Sequence, residues 1–218
     1  MRIPLAEYAV RELALFGGGA LAGLAVSAMW AWYLAPLFAA ALVLVVAFFR
    51  DPARRVPVEP GLLVAPADGR VTEVAEADEP RFLKARAHKV GIFMSLASVH
   101  VNRAPCAGRV EAVERRRGRF LDARDPASSA ENESVSVAIA KAEGRPGRVL
   151  LRQVAGVLAR RIVCAAAAGD VLARGQRIGM IKFGSRVEVY VPVASGFEVL
   201  VSPGARVRAG ETVLGRFR

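Results

Sequence analysis

The sequence predicts a mainly β fold, a barrel-like β sandwich, preceded by an N-terminal helical hairpin suited to a membrane. Three observations carry that prediction. Residues 13 to 49 contain no charged side chain. Beyond residue 60 the chain breaks into short apolar or alternating runs separated by Gly, Pro and Asp, which is strand-and-turn patterning. Near the end an outline recurs: Gly169-Asp170-Val171-Leu172-Ala173-Arg174-Gly175-Gln176 returns as Gly204-Ala205-Arg206-Val207-Arg208-Ala209-Gly210-Glu211, each copy leading into a strand.

The uncharged run is too long for one simple span. As a single straight helix it would reach roughly 55 Å, against a hydrocarbon core of about 30 Å. Two shorter helices fit better. Trp30, Trp32 and Tyr33 mark the midpoint as an interface, and Pro36 suits the first turn of a new helix. Residues 1 to 50 therefore read as a hairpin, either transmembrane or re-entrant. Arg2 and Arg11 precede it and Arg50, Arg54 and Arg55 follow it, so the positive-inside rule puts both ends on the cytoplasmic side of the cell membrane. A cleaved signal peptide processed near Val26-Ser27-Ala28 is the competing reading. The second apolar run that follows at once, and the basic residues after it, argue against that. Cys106 and Cys164, not spaced as a metal pair, read as thiols of a reducing compartment.

The chain has 218 residues and a formal net charge of +11. Only +1 belongs to the first 50 residues (three Arg minus two Glu), which leaves +10 on the rest. Such a surface is drawn to an anionic membrane surface. Nucleic acid is the poorer partner, because the part beyond residue 50 has few aromatics for base stacking and no groove-reading motif. The run Glu114-Arg115-Arg116-Arg117-Gly118-Arg119 fits lipid phosphates and a solvated hairpin end equally well. A Pro-punctuated linker at 51–60 leads into a β-rich domain at 61–218. Its strands are expected near 61–66, 70–75, 89–95, 108–114, 134–140, 148–152, 178–183, 186–191, 197–201 and 212–217. Residues 153–165 suit a short helix or a strand, since Val154, Val157, Leu158, Arg161 and Ile162 are almost helically spaced. Residues 121–133 read as an irregular loop.

The chemistry is concentrated at Phe183-Gly184-Ser185-Arg186. Glycine tolerates unusual backbone angles, so a serine that follows one is a place where a hydroxyl can attack its own preceding carbonyl. An unassisted serine is a poor nucleophile. His100 is the best candidate base, and Asp68 is suited to fix its tautomer and to stabilise the imidazolium, the logic of a Ser-His-Asp triad. His88, beside Lys89 at a strand start, reads as structural. With no further histidine in the chain there is no obvious metal cluster.

Four motifs in order, Phe48-Phe49-Arg50-Asp51-Pro52, Pro66-Ala67-Asp68-Gly69, Val99-His100-Val101-Asn102-Arg103-Ala104-Pro105 and the run from Gln176 to Arg186, resemble the short, membrane-bound form of phosphatidylserine decarboxylase. The resemblance covers the chain from about residue 46 onward. It implies a proenzyme whose Asp68, His100 and Ser185 form a self-cleavage triad. Cleavage between Gly184 and Ser185 gives a beta chain, 1–184, and an alpha chain, 185–218, with Ser185 converted to a pyruvoyl group. That covalent cofactor forms a Schiff base with phosphatidylserine, which loses CO2 to become phosphatidylethanolamine. No added cofactor or metal is implied, and a homo-oligomer stays open. Two departures stand out. The longer forms carry a further histidine where this chain has Ala97, so the group that reprotonates the decarboxylated intermediate is unassigned, and His100 could serve both stages. Ser98 stands where short forms usually have aspartate, and Glu131-Asn132-Glu133-Ser134 lacks the arginine that usually ends a similar run.

Two other classes remain open on the residues alone. The recurring glycine-bounded segments, with Ala65-Pro66-Ala67-Asp68-Gly69-Arg70-Val71, also resemble biotinyl and lipoyl carrier domains, which implies a membrane-anchored carrier or adaptor module. A carrier presents a lysine at a hairpin tip, whereas Lys182 runs straight into Phe183-Gly184-Ser185. A Ser/Lys membrane peptidase built from Ser185 and Lys182 is the third class, and it would keep its serine.

Overall fold

The computed structural model describes residues 5–142, 147–157, 161–182 and 184–217. Its contacts divide the chain into two units, Met1–Ala53 and Arg54–Arg218.

The first unit is a helical hairpin. A helix covers Glu7–Trp30, with a π-helical stretch at Leu13–Gly17 and regular α-helix at Gly18–Trp30. It stops at Ala31, whose φ of −150° and ψ of 61° are not helical. A 3₁₀ turn at Trp32–Leu34 leads into a second helix, Ala35–Phe48, with Pro36 in its first turn. The two helices return on one another. Leu5 bridges Arg50 in antiparallel fashion, and the Ala6 amide donates to the Phe49 carbonyl at 2.8 Å. Gly23 permits the close approach, because a Cβ there would fall 2.3 Å from the Phe38 ring. Both ends of the hairpin thus lie side by side, while Trp30, Trp32 and Tyr33 stand exposed at its tip. Leu15, Leu21, Val26, Leu37, Val43 and Leu44 are exposed as well, an apolar exterior that suits lipid better than water. The first helix, 24 residues, is long and apolar enough to cross a bilayer; the apolar segment Trp32–Phe48 is shorter.

The second unit is mainly β. Its strands are β1 Leu62–Val64, β2 Gly69–Glu79, β3 Ala85–Met94, β4 Val101–Arg103, β5 Gly108–Arg116, β6 Ser134–Lys141 and β7 Arg148–Val154. They continue with β8 Ile162–Cys164, β9 Val171–Leu172, β10 Arg177–Ile181, β11 Ser185–Pro192, β12 Phe197–Val199, β13 Arg206–Val207 and β14 Val213–Phe217. All ten expected strands are present. The four others, β4, β8, β9 and β13, are two or three residues long, too short to show a period. Within 153–165, β7 ends at Val154 and β8 opens at Ile162, so both ends are strand; residues 158–160 lie outside the described residues. The loop at 121–133 is irregular apart from one helical turn, Ser128–Glu131.

An eight-stranded antiparallel sheet runs β13-β2-β3-β11-β7-β6-β5-β9, flanked by two three-stranded sheets, β1-β14-β12 and β4-β10-β8. This order is its own mirror. Exchanging β2 with β5, β3 with β6, β7 with β11 and β9 with β13 returns the large sheet, and exchanging β1 with β4, β14 with β10 and β12 with β8 turns one small sheet into the other. The detail is doubled as well. β2 has a bulge between Val71 and Glu73, and β5 has one between Val110 and Ala112. A Cβ on Gly69 would lie 2.1 Å from the Phe93 carbonyl oxygen, and one on Gly108 would lie 2.2 Å from that of Ala140. The recurring Gly169 and Gly204 segments are the two edges of this sheet, with the Gly204 amide on the Val71 carbonyl and the Gly169 amide on that of Val110, both at 2.8 Å. Paired bulges bend and twist the hairpins, which curls the sheet around a core containing Leu63, Ile92, Ile139, Leu151, Ile178 and Leu214. The β11–β7 pair sits at the centre, and the site is built at its end.

The segment at 54–59 lies along the domain. Arg54 pairs with Asp68 at 2.9 Å, the Arg55 amide donates to Glu211, and the Arg174 guanidinium donates to the carbonyls of Pro57 and Glu59.

Candidate active site

Ser185 is the first residue of β11 and pairs in register with Met94, the last residue of β3. Side chains alternate along a strand, so β11 has two characters. Val187, Val189 and Val191 enter the main core, while Arg186, Glu188 and Tyr190 point to the other face. Ser185 itself is fully buried. Its hydroxyl donates to the Met94 sulfur at 3.5 Å, a weak acceptor that leaves Oγ lightly held.

Two buried amides lie beside it. Asn102, on β4, donates to the same Met94 sulfur at 3.6 Å, and Gln153, on β7, donates to the Asn102 side-chain oxygen at 2.8 Å. Both are completely inaccessible, and the Gln153 Oε1 is buried without a hydrogen-bond partner among the described residues. A buried acceptor left over costs about 1–3 kcal/mol, which a protein retains where the group has a task. The sequence reading includes Asn102 only within a motif and misses Gln153, which stands between Arg152 and Val154 at the end of β7.

Gly184 has φ +57°, in the left-handed region where a Cβ is strained. The bond that joins it to Ser185 thus leaves a turn and enters a strand. His100 is fully buried just ahead of β4. Pairing of β4 with β10 sets it against Ile181, whose amide reaches the His100 carbonyl at 3.4 Å, four residues before Ser185. Asp68 is divided between two partners: Oδ2 on the Arg54 guanidinium at 2.9 Å and Oδ1 on the Ala209 amide at 2.8 Å. Its loop is tied to β4 by the Arg103 amide, which donates to the Pro66 carbonyl at 2.8 Å. The structure therefore gathers Ser185, Met94, Asn102 and Gln153 into one cluster, sets His100 beside the strand that runs into the Gly184–Ser185 bond, and pairs Asp68 with Arg54. His88 sits on β3 with its ring 6.3 Å from Phe197, in a packing role. Lys182 is 4% exposed, whereas a carrier lysine must be reachable from solvent, which adds to the argument against a carrier module.

Behind Ser185 the other face of β11 holds a buried ion cluster that the sequence reading also misses. Glu188 is completely inaccessible, with the Arg186 Nε at 2.8 Å, the Lys89 Nζ at 3.3 Å, and hydrogen bonds from the Tyr190 hydroxyl at 2.8 Å and the Ser129 hydroxyl at 2.9 Å. Arg186 and Lys89 also share Glu73. Alternating charges in Ser-Arg-Val-Glu-Val-Tyr suggest a solvated face, yet the helical turn that carries Ser129 covers it. Burial alone opposes the Glu188 charge, but Lys89, Arg186 and the two hydroxyl donors outweigh it and hold the carboxyl below its usual range. A carboxyl so depressed contributes stability at and above neutral pH, and that contribution disappears as pH falls through its folded value. Glu188→Gln is accordingly expected to cost about 3 kcal/mol at pH 7, because it leaves buried cations short of a counter-charge. The deficit should shrink as pH falls below about 4, where the carboxyl protonates first in the unfolded chain and, at still lower pH, in the fold. Thermal unfolding at the two pH values checks this, and an equal deficit at both contradicts it.

Comparison with known proteins places this architecture in a class. The family model described as phosphatidylserine decarboxylase matches residues 42–215. A phosphatidylserine decarboxylase proenzyme of Symbiobacterium thermophilum is 50% identical over 199 residues, 91% of this chain and 91% of that protein. Those of Rhodopirellula baltica, 44% identical over 89% of this chain and 81% of theirs, and Anaplasma phagocytophilum, 48% identical over 79% and 74%, agree. The chain belongs to the phosphatidylserine decarboxylase family.

Proposed function

We propose that this protein is a proenzyme that cuts itself between Gly184 and Ser185 and, once matured, decarboxylates phosphatidylserine to phosphatidylethanolamine and CO2. The observation that carries the reading is the placement of Gly184-Ser185: a left-handed glycine followed by a fully buried, weakly bonded serine hydroxyl, in a chain half identical to a named proenzyme.

In the maturation step Ser185 Oγ adds to the Gly184 carbonyl carbon while its proton passes to His100. The C–N bond to Ser185 breaks, the nitrogen takes a proton, and an ester replaces the amide. Asp68 supports the imidazolium formed on His100. Loss of the Ser185 α-proton then expels the Gly184 carboxylate, and water converts the resulting dehydroalanine to a pyruvoyl group with release of ammonia. The surroundings suit such a group: the Asn102 amide shares the Met94 sulfur with the Ser185 hydroxyl and is itself bonded by Gln153, a polar pair close enough to meet what replaces the hydroxyl. A pyruvoyl carbonyl there supplies the point of condensation for the substrate amine and accepts the electrons released as CO2 departs. The chain holds the group at the start of β11, where buried Arg186, paired with Glu188, anchors the new terminus.

The apolar hairpin, whose two ends meet, supports attachment to the cell membrane with the β domain on the cytoplasmic side, next to anionic lipid. Purified protein mixed with phosphatidylserine in detergent micelles should yield phosphatidylethanolamine and one CO2 per lipid. Borohydride added during turnover should attach the lipid covalently to the 185–218 fragment. Cut protein that makes no phosphatidylethanolamine sinks the assignment, and a cut that leaves the serine intact favours the peptidase.

A further inference from the structure

We infer that Gly156 is the seat of the carbonyl that Ser185 attacks, and that its bare backbone sets the angle of that carbonyl; this deepens the self-cleavage reading above and rests on it. Gly156 follows β7 by two residues. A Cβ built on it would lie 2.3 Å from the Gly184 carbonyl oxygen and 3.3 Å from both the Gly184 carbonyl carbon and the Ala123 Cβ. The Gly184 C=O therefore rests directly on the face of Gly156 where any other residue carries a side chain.

The seat cannot give way easily. Ala155 is fixed on both sides, its amide donating to the Glu133 carbonyl at 2.9 Å and its carbonyl accepting from the Asn132 side chain at 2.8 Å. Asn132 is itself fully buried and closes a second pair of bonds with the backbone of Leu121, two residues from Ala123. The segment Glu131-Asn132-Glu133 thus acts as a brace for the turn under the scissile bond.

The geometry of the attack explains why this matters. Oγ reaches its own preceding carbonyl carbon only by closing a five-membered ring, and it must approach the face of the 184–185 peptide plane. Rotation of that plane runs through ψ of Gly184 and φ of Ser185, and the place where its oxygen rests on Gly156 limits both. As Oγ–C bonding develops and the C–N bond yields, negative charge collects on the same oxygen, and a preset oxygen avoids reorganisation at that moment. A side chain on Gly156 must push the oxygen from 2.3 Å out to ordinary contact near 3.4 Å, a displacement of about 1 Å. Misplacement of that size costs on the order of 100-fold in rate. Gly156 touches no reacting atom other than this carbonyl, so its part is positioning.

The test follows maturation of the full-length chain by intact mass, with and without hydroxylamine, which cleaves the ester to a Gly184 hydroxamate and a fragment that begins with an intact serine. Gly156→Ala is expected to mature at least about 100-fold more slowly and to yield no hydroxamate, because the ester itself fails to form. Cutting at the wild-type rate overturns the inference, and so does a hydroxamate that accumulates, since the block would then lie after the attack. Folding is read separately as the melting temperature of Gly156→Ala placed in a Ser185→Ala chain. If that chain does not fold, Asn132→Ser is followed instead, since it releases Ala155 and keeps the glycine. Slower cutting per folded molecule without hydroxamate supports the seat, and wild-type cutting overturns it. A wild-type chain that is uncut, or cut with its serine retained, overturns the self-cleavage reading itself and is thereby distinguished from failure of the seat alone.

Discussion

Ser185→Ala is expected to give one uncut chain with no detectable decarboxylase activity, the largest effect of any single substitution in the molecule. In the proposed mechanism the hydroxyl is both the nucleophile of the cut and the precursor of the group that does the later chemistry, so its removal would abolish two functions at once. The fold should survive. Ser185 is fully buried, but its hydroxyl makes one weak contact, to the Met94 sulfur, and alanine fills the same position in register. A melting temperature within a few degrees of wild type, with a single band under denaturing conditions, is the predicted pair of observations. An alanine variant that is cut and active contradicts the mechanism.

His100→Ala should slow maturation by about 10²- to 10⁴-fold, the usual contribution of a positioned general base. The side chain is also fully buried, so the substitution opens a cavity and lowers stability. His100→Gln keeps most of the volume and the hydrogen bonding but cannot shuttle a proton. If the imidazole is the base, both variants mature slowly; if His100 is only packing, the glutamine variant recovers most of the rate. Time courses of cleavage by intact mass separate the two. Asp68→Asn should slow the same step by a smaller factor, and Arg54→Gln serves as its control. Arg54 holds the Asp68 carboxylate at 2.9 Å, so loss of stability without loss of cutting rate in Arg54→Gln assigns that ion pair to the fold and leaves Asp68 its part in the cut.

Much of the architecture was legible because its signals are local. An uncharged stretch interrupted by Trp30, Trp32 and Pro36 has few solutions other than two apolar helices. An alternating run such as Ser134–Lys141 is a strand by its period, and a short apolar run such as 149–151 by its length and composition. The recurrence at 169–176 and 204–211 pointed to a duplication, but only its edge strands were visible. The rest of the doubling resides in pairings such as β1 with β14 and β4 with β10, which three-residue strands do not announce. Likeness to carrier domains rests on that recurrence and on the segment 65–71.

The candidate site divides the same way. Gly184, Ser185, His100 and Asp68 stand in short contiguous motifs, which is why the sequence alone nominates them. Gln153, Gly156, Asn132 and Glu188 matter through what lies across the sheet from them, and nothing in their own neighbourhoods shows it. Glu188 is the clearest case. Its alternation with valines suggests a solvated face, and only the return of the chain at Ser129 turns that face into an interior. The Asp68–Arg54 pair is likewise a long-range fact, joining a segment expected to be linker to the loop before β2.

The central claim is that residue 185 ceases to be a serine, and the intact mass of the purified protein under denaturing conditions tests it most directly. Self-cleavage predicts two fragments, 1–184 and a 34-residue 185–218 peptide lighter by one ammonia than the same peptide beginning with serine. A 185–218 fragment of full serine mass, or a single chain of 218 residues that persists in a preparation active on phosphatidylserine, contradicts it.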